Sequence, residues 1–214
     1  MRHVLCFGDS NTFGTDPLVA GGRHPDDMRW TGILQQQLGA DWRVIEEGLG
    51  GRTAVYDDPI EPVPTKNGAT ALPIALHSHR PLDVVIIALG TNDLKSMFHA
   101  TPRVIAAGIG LLAHMVQTYE YGPQCAVPQV ILVSPIHVKP GIAASVFAGF
   151  EEDAVERSQQ LAYWIRQEAQ ARGCGFVDAS RVAEASDADK LHMELPSHRA
   201  LGTVLAEYIT QHYA

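Results

Sequence analysis

The sequence predicts an α/β fold with a largely parallel, five-stranded sheet. Two patterns lead there. Five short apolar runs, each bounded by Gly, Asp or Pro, read as buried parallel strands. Between them lie longer stretches whose apolar residues recur at helical spacing. A third observation agrees with both. Hydrophobic residues make up 46% of the 214 and charged residues 19%, so one substantial core can form and disorder is disfavoured.

The first strand, His3–Phe7, carries Cys6 inside its apolar run, where a thiol behaves as a small hydrophobe. Trp30–Leu38 is an amphipathic helix that stops before Gly39, and Arg43–Glu47 is the second strand. Asp57–Ala75 reads as a long irregular connection. The third strand is Leu82–Leu89. Thr101 then caps a helix with Pro102 in its first turn and an apolar face over Val104–Tyr119. Gln129–Ser134 is the fourth strand. A second irregular connection, Pro135–Phe150, carries Ile136, Val138, Ile142, Val146, Phe147 and Phe150. That is too apolar for a solvated loop, and it is expected to cover the active site or to bury against a neighbouring subunit. Glu151–Arg172 is a helix with an acidic start and Gly173 as its stop. Gly175–Asp178 is the last strand, and Pro196 opens a final helix through Leu201, Leu205 and Ile209. No repeat or low-complexity tract divides the chain, so residues 1–214 read as one domain. A flavodoxin-like strand order is expected by analogy.

The charge balance narrows the partners. The net charge is −8 and no basic run occurs, so nucleic acid phosphates and anionic lipid heads would repel the chain. No apolar run approaches the roughly 18 residues of a membrane helix, and the stretch after Met1 is too short for a signal-peptide core. Cys6, Cys125 and Cys174 are odd in number and scattered, which suits reduced thiols in the cytoplasm rather than a disulfide framework.

In open parallel sheets, ligands bind beyond the carboxyl ends of the strands. The residues there are Gly8-Asp9-Ser10-Asn11 after the first strand, Gly48-Leu49-Gly50-Gly51-Arg52 after the second and Gly90-Thr91-Asn92-Asp93 after the third. Asp189-Lys190-Leu191-His192 follows the fifth. A serine hydroxyl needs a neighbouring base, which His192 can be, and Asp189 can orient its other ring nitrogen. An oxyanion needs preplaced donors, which the Ser10 and Gly51 N–H groups and the Asn92 amide can supply. This set suits acyl transfer through an acyl-enzyme. Activity would then fall as His192 gains a proton. Asp187 competes with Asp189 as the orienter, and Gly50 with Gly51 as the donor.

These four blocks resemble the SGNH (GDSL) hydrolase family, and the match in order and spacing covers essentially the whole chain. Arg29-Trp30-Thr31-Gly32, Val44-Ile45-Glu46-Glu47-Gly48-Leu49 and Leu82-Asp83-Val84-Val85-Ile86-Ile87 are similar to its bacterial arylesterase and acyltransferase branch. The resemblance implies a three-layer α/β/α fold and hydrolysis of short-chain aryl or acetyl esters. It implies no cofactor and no metal, a small-molecule ester as partner, and homo-oligomers up to an octamer. Acyltransferase or perhydrolase side activity, and deacetylation of sugars, also occur in the branch. Two residues depart from its pattern. Asn11 stands where Leu is common, and Lys190, where Gly is common, adds positive charge beside Asp189. A non-catalytic small-ligand-binding relative is the rival from another class. It is disfavoured because every catalytic residue type is present.

Other motifs carry less. Asp9 and Asp93 are expected to hydrogen-bond structurally, and Arg52 to brace its loop through an ion pair. His77 and His79 with Asp83 invite a metal but would place one ligand at the start of a buried strand. Gly108-Ile109-Gly110 lies inside a helical pattern rather than between strand and helix.

Overall fold

The computed structural model describes residues 1–213. Five strands run in parallel: β1 (Arg2–Gly8), β2 (Trp42–Gly48), β3 (Val84–Ala88), β4 (Gln129–Ser134) and β5 (Gly175–Asp178). They order as β2-β1-β3-β4-β5, the flavodoxin-like arrangement. The described residues also form six α-helices: α1 (Ser10–Phe13), α2 (Trp30–Leu38), α3 (Gly68–His79), α4 (Pro102–Thr118), α5 (Asp153–Arg172) and α6 (Leu195–Tyr213).

Strand alternation splits the core into two layers, because successive side chains point to opposite faces. Leu5, Phe7, Val85, Ile87 and Leu132 face α3, α4 and α5 through Leu72, Leu76, Ile109 and Leu161. Val4, Cys6, Ile86, Ile131 and Val133 face α2 and α6 through Trp30, Leu34, Leu205 and Ile209. The result is three layers, α/β/α. Fully burying one such side chain contributes roughly 1.5–3 kcal/mol, so Leu205→Ala would open a cavity costing about 2–5 kcal/mol. Burial also pushes the Cys6 thiol well above its usual pKa, which keeps it an inert core group.

The helix ends follow local chemistry. The Thr101 side chain accepts the Val104 N–H to cap α4, and Gly173 in the left-handed region closes α5. One expectation fails. Residues 68–75 of the connection read as irregular belong to α3, which Asn67 opens by accepting the Ala69 N–H. Pro73 inside that helix, and the weak contrast between its small, apolar and polar residues, mask the period that marks an amphipathic helix. Gly108 and Gly110 lie within α4, Gly110 against Glu168 and Arg172 of α5. Among the described residues, no helix is long and apolar enough to cross a membrane.

Candidate active site

The chain turns sharply from β1 into α1, and Ser10 is the first helical residue. The Asp9 carboxylate caps the turn by accepting the Asn11 N–H at 2.9 Å. Gly48 at the end of β2 lets α1 sit close. A Cβ there would lie 2.2 Å from the Phe13 nitrogen, so any side chain would push the serine turn off the sheet.

Ser10, Asp189 and His192 come together although Ser10 is 182 residues from His192. The Ser10 Oγ lies 2.8 Å from His192 Nε2, and His192 Nδ1 lies 2.6 Å from Asp189 Oδ2. Since the carboxylate can only accept, Nδ1 carries the proton and Nε2 is free to accept from the serine hydroxyl. The other carboxylate oxygen accepts the N–H groups of Leu191 (3.0 Å) and His192 (2.9 Å). Burial raises the Asp189 pKa, but the His192 ring and these two N–H groups outweigh it and hold the carboxyl below its ordinary value. Asp187, the competing acid, is exposed and pairs with Lys139 at 3.0 Å.

The loop carrying His192 is held from both sides. The Asn11 side chain accepts the Met193 N–H at 2.9 Å and donates to the Leu191 carbonyl at 3.4 Å. Behind it, buried His24 donates from Nε2 to the Met193 carbonyl at 3.2 Å. Asn11 thus forms a polar clamp on the two neighbours of His192. Lys190 adopts a left-handed φ of 68°, the conformation that explains why Gly suits this position. Its ammonium points toward Asp187 at 3.9 Å rather than toward Asp189, so hydrogen bonds and not Lys190 keep Asp189 charged.

Gly51 and Asn92 border the same cleft as Ser10 and His192. Gly51 has φ of 80°, which a side chain would strain. Neither the Ser10 nor the Gly51 N–H has an acceptor among the described residues. One Asn92 amide hydrogen donates to the Arg52 carbonyl at 3.1 Å, which orients the group and leaves the other free. Three donors therefore stand available beside one hydroxyl.

Beneath them lies a buried ionic layer. Asp93 accepts the Ala54 N–H at 2.9 and 3.1 Å, and burial raises its pKa to about 7. Burial likewise lifts Asp9 to about 6. Arg52 braces its loop through backbone carbonyls, not through the expected ion pair: it donates to Gly8 (2.9 Å) and Glu47 and lies 4.1 Å from the Phe7 ring centre. Burial lowers its pKa to about 10.

The cleft measures about 400 Å³. Its apolar wall comes from Pro135–Phe150, with Phe147 edge-on to the His192 ring at 5.2 Å. That segment covers the site from one end, while Ile136, Val138 and Ile142 bury in the core of this same chain. The rest of the lining includes a polar patch: Lys95 pairs with Asp58 at 2.8 Å, and Lys66 with Glu61 at 3.3 Å. Sequence reading missed these four residues because they come from irregular connections without a motif. His77 and His79 lie elsewhere. His77 meets the Tyr119 hydroxyl at 2.8 Å, and His79 meets Glu47 at 2.8 Å.

The chain is similar to known proteins over nearly its whole length. Residues 6–199 match the GDSL-like lipase/acylhydrolase family. The aryl esterase of M. smegmatis is 40% identical, with 99% of each chain covered and a TM-score of 0.90. A carbohydrate acetylesterase from Sinorhizobium meliloti is 36% identical, with 99% of each chain covered and a TM-score of 0.89. A lipase/acylhydrolase from Enterococcus faecalis shares the fold at 18% identity, 99% and 96% coverage and a TM-score of 0.69. No curated protein sequence matches the chain. On the strength of the family match and these relatives, the chain belongs to the GDSL-like lipase/acylhydrolase family and with it to the carboxylic ester hydrolases.

Proposed function

We propose that this chain is a serine esterase that hydrolyses short-chain acyl esters, aryl or acetyl, through an acyl-enzyme on Ser10. The observation that carries the reading is the 2.8 Å contact from Ser10 Oγ to His192 Nε2, backed by Asp189 at 2.6 Å. Ser10 Oγ attacks the ester carbonyl carbon while His192 takes the hydroxyl proton. The carbonyl π electrons move onto oxygen, where the Ser10 and Gly51 N–H groups and the Asn92 amide stabilise them. Asp189 holds the ring in its tautomer and stabilises the imidazolium. His192 then protonates the leaving alcohol as its bond to carbon breaks. In the second half His192 deprotonates water, whose oxygen adds to the acyl carbon, and His192 returns that proton to Ser10 Oγ as its bond to carbon breaks and the acid leaves. An alcohol or peroxide in the position of that water would take the acyl group instead, which is the acyltransferase or perhydrolase side activity.

The test is hydrolysis of p-nitrophenyl esters from acetate to octanoate by the wild type and Ser10→Ala. Turnover that fades with chain length and is lost in the variant is expected. Full activity in Ser10→Ala would overturn the assignment.

The polar wall favours a second reading, an esterase for acetylated carbohydrate. Asp58, Glu61, Lys66 and Lys95 place donors and acceptors together where a hydroxylated alcohol would sit. Acetate release from glucose pentaacetate, compared with p-nitrophenyl acetate, separates the two.

A further inference from the structure

Lys66 sits just ahead of α3 and is 8% exposed. Its own carbonyl accepts the Thr53 N–H at 2.9 Å, which ties the residue to the chain following Gly51. Its Nζ donates to the Gly50 carbonyl at 2.9 Å, and the Glu61 carboxylate lies 3.3 Å away. The Gly50 carbonyl and the Gly51 N–H are the two ends of one planar peptide group. The Lys66 ammonium therefore acts on one end of the same group whose other end belongs to Gly51 of the cleft lining.

That peptide needs holding. It lies between two glycines, and a peptide so flanked can turn about its plane at little steric cost. Such a turn would replace the N–H at the oxyanion position with a carbonyl oxygen and change attraction into repulsion.

We propose that Lys66 is a positioning residue for the oxyanion hole: by donating to the Gly50 carbonyl it keeps the Gly51 N–H aimed at the developing oxyanion and polarises it. The inference rests on the serine esterase reading above. Two effects act together. The ammonium fixes the peptide plane, and it draws electron density toward the carbonyl oxygen, which makes the N–H a stronger donor along a cooperative chain. Lys66 gains and loses no proton in the reaction. Glu61, whose side chain is 62% exposed, holds the ammonium in place while water screens much of its charge. Lys95, the other lysine of the cleft, is committed to Asp58 and touches no oxyanion donor.

The experiment compares Lys66→Met and Lys66→Arg with the wild type on p-nitrophenyl acetate. Active sites are counted by the burst from a p-nitrophenyl phosphonate. Inhibition by phenylboronic acid, whose serine adduct is tetrahedral, is measured beside it. Removing a whole oxyanion donor costs about 10²–10³ in kcat, so weakening one is expected to cost roughly tenfold. Lys66→Met should lose that in kcat per titrated site, keep KM unchanged within measurement and weaken the boronate by a similar factor. Lys66→Arg, which can still donate to the Gly50 carbonyl, should recover both. If the Met variant does not fold, Lys66→Gln takes its place and should show the same pattern at smaller amplitude. An unchanged kcat per titrated site overturns the proposal. A raised KM at constant kcat does so too, by making Lys66 a substrate contact. Loss of kcat without loss of boronate affinity also overturns it, as general packing. Ser10→Ala run in parallel separates the readings, because activity retained there overturns the serine esterase and this inference with it.

Discussion

The side-chain oxygen of Asn11 accepts the backbone N–H of Met193 at 2.9 Å, so the neighbour of Ser10 holds the neighbour of His192. Nucleophile and base are thereby joined by a contact outside the proton path. Preorganisation of this kind matters because misplacement of about 1 Å can cost on the order of 10²-fold in rate.

Asn11→Leu tests that link. It removes two hydrogen bonds and leaves the Met193 N–H without its partner, a loss of about 1–3 kcal/mol in stability. We expect kcat on p-nitrophenyl acetate to fall roughly tenfold with KM nearly constant, since orientation of the base enters the transition state. A variant with wild-type kcat would show that His24 and Asp189 position His192 without Asn11.

The buried carboxyls give a signed pH dependence. Asp93 has its pKa raised to about 7 by burial, against about 3.9 when unfolded. Between those values the folded state binds the extra proton, so this group costs stability as pH rises, and the cost is complete above pH 7. Asp189, depressed in the fold, acts the other way: its contribution is present above about pH 3.9 and lost as pH falls through its folded value. His198 opposes Asp93 in the neutral range, because burial lowers its pKa to about 3 and stability rises with pH as the unfolded imidazole deprotonates. A difference measurement isolates the term. Asp93→Asn keeps an oxygen for the Ala54 N–H, and its melting temperature relative to wild type should rise steadily from pH 4 to pH 7.5. A difference independent of pH would contradict the raised Asp93 pKa.

Lys190→Gly relieves a left-handed backbone at φ 68°. The strain relieved is about 1–2 kcal/mol, and the extra freedom of glycine in the unfolded chain offsets roughly 0.5–1 kcal/mol of it. Chemical denaturation should show a gain of up to about 1 kcal/mol, with activity on p-nitrophenyl acetate as in wild type. A clear loss of stability would mean that the exposed Lys190–Asp187 pair matters more than such pairs ordinarily do.

Phe147→Ala opens the apolar wall against His192. The kcat/KM for butyrate and hexanoate relative to acetate should rise several-fold on the p-nitrophenyl series. An unchanged chain-length profile would show that the acyl chain does not rest on Phe147.

Much of this was legible in one dimension, for particular reasons. The Val- and Ile-rich run Leu82–Leu89, bounded by Pro and Gly, reads as a buried strand, and Thr101 with Pro102 reads as a helix start. The strand ends carried Ser10, Gly51 and Asn92 because loops at that edge are where a parallel sheet binds ligands. The helix α3 stayed hidden because Pro73 and an apolar composition erase its period. Lys66, Glu61, Asp58 and Lys95 stayed hidden because charged residues in irregular chain have no spacing to betray a shared surface.

By itself, then, the amino-acid order determined the strands, four of the six α-helices of the described residues and the residue types of the site, since propensity, capping and alternation act over a few residues. The tertiary structure alone decided that Asn11 clamps Met193, that Asp189 rather than Asp187 meets His192, and that Lys66 reaches the Gly50 carbonyl. Asn11 and Met193 sit on separate connections that only packing onto the sheet brings within hydrogen-bonding distance, while Lys66 reaches Gly50 and Asp189 reaches His192 through the way a single connection folds back on itself.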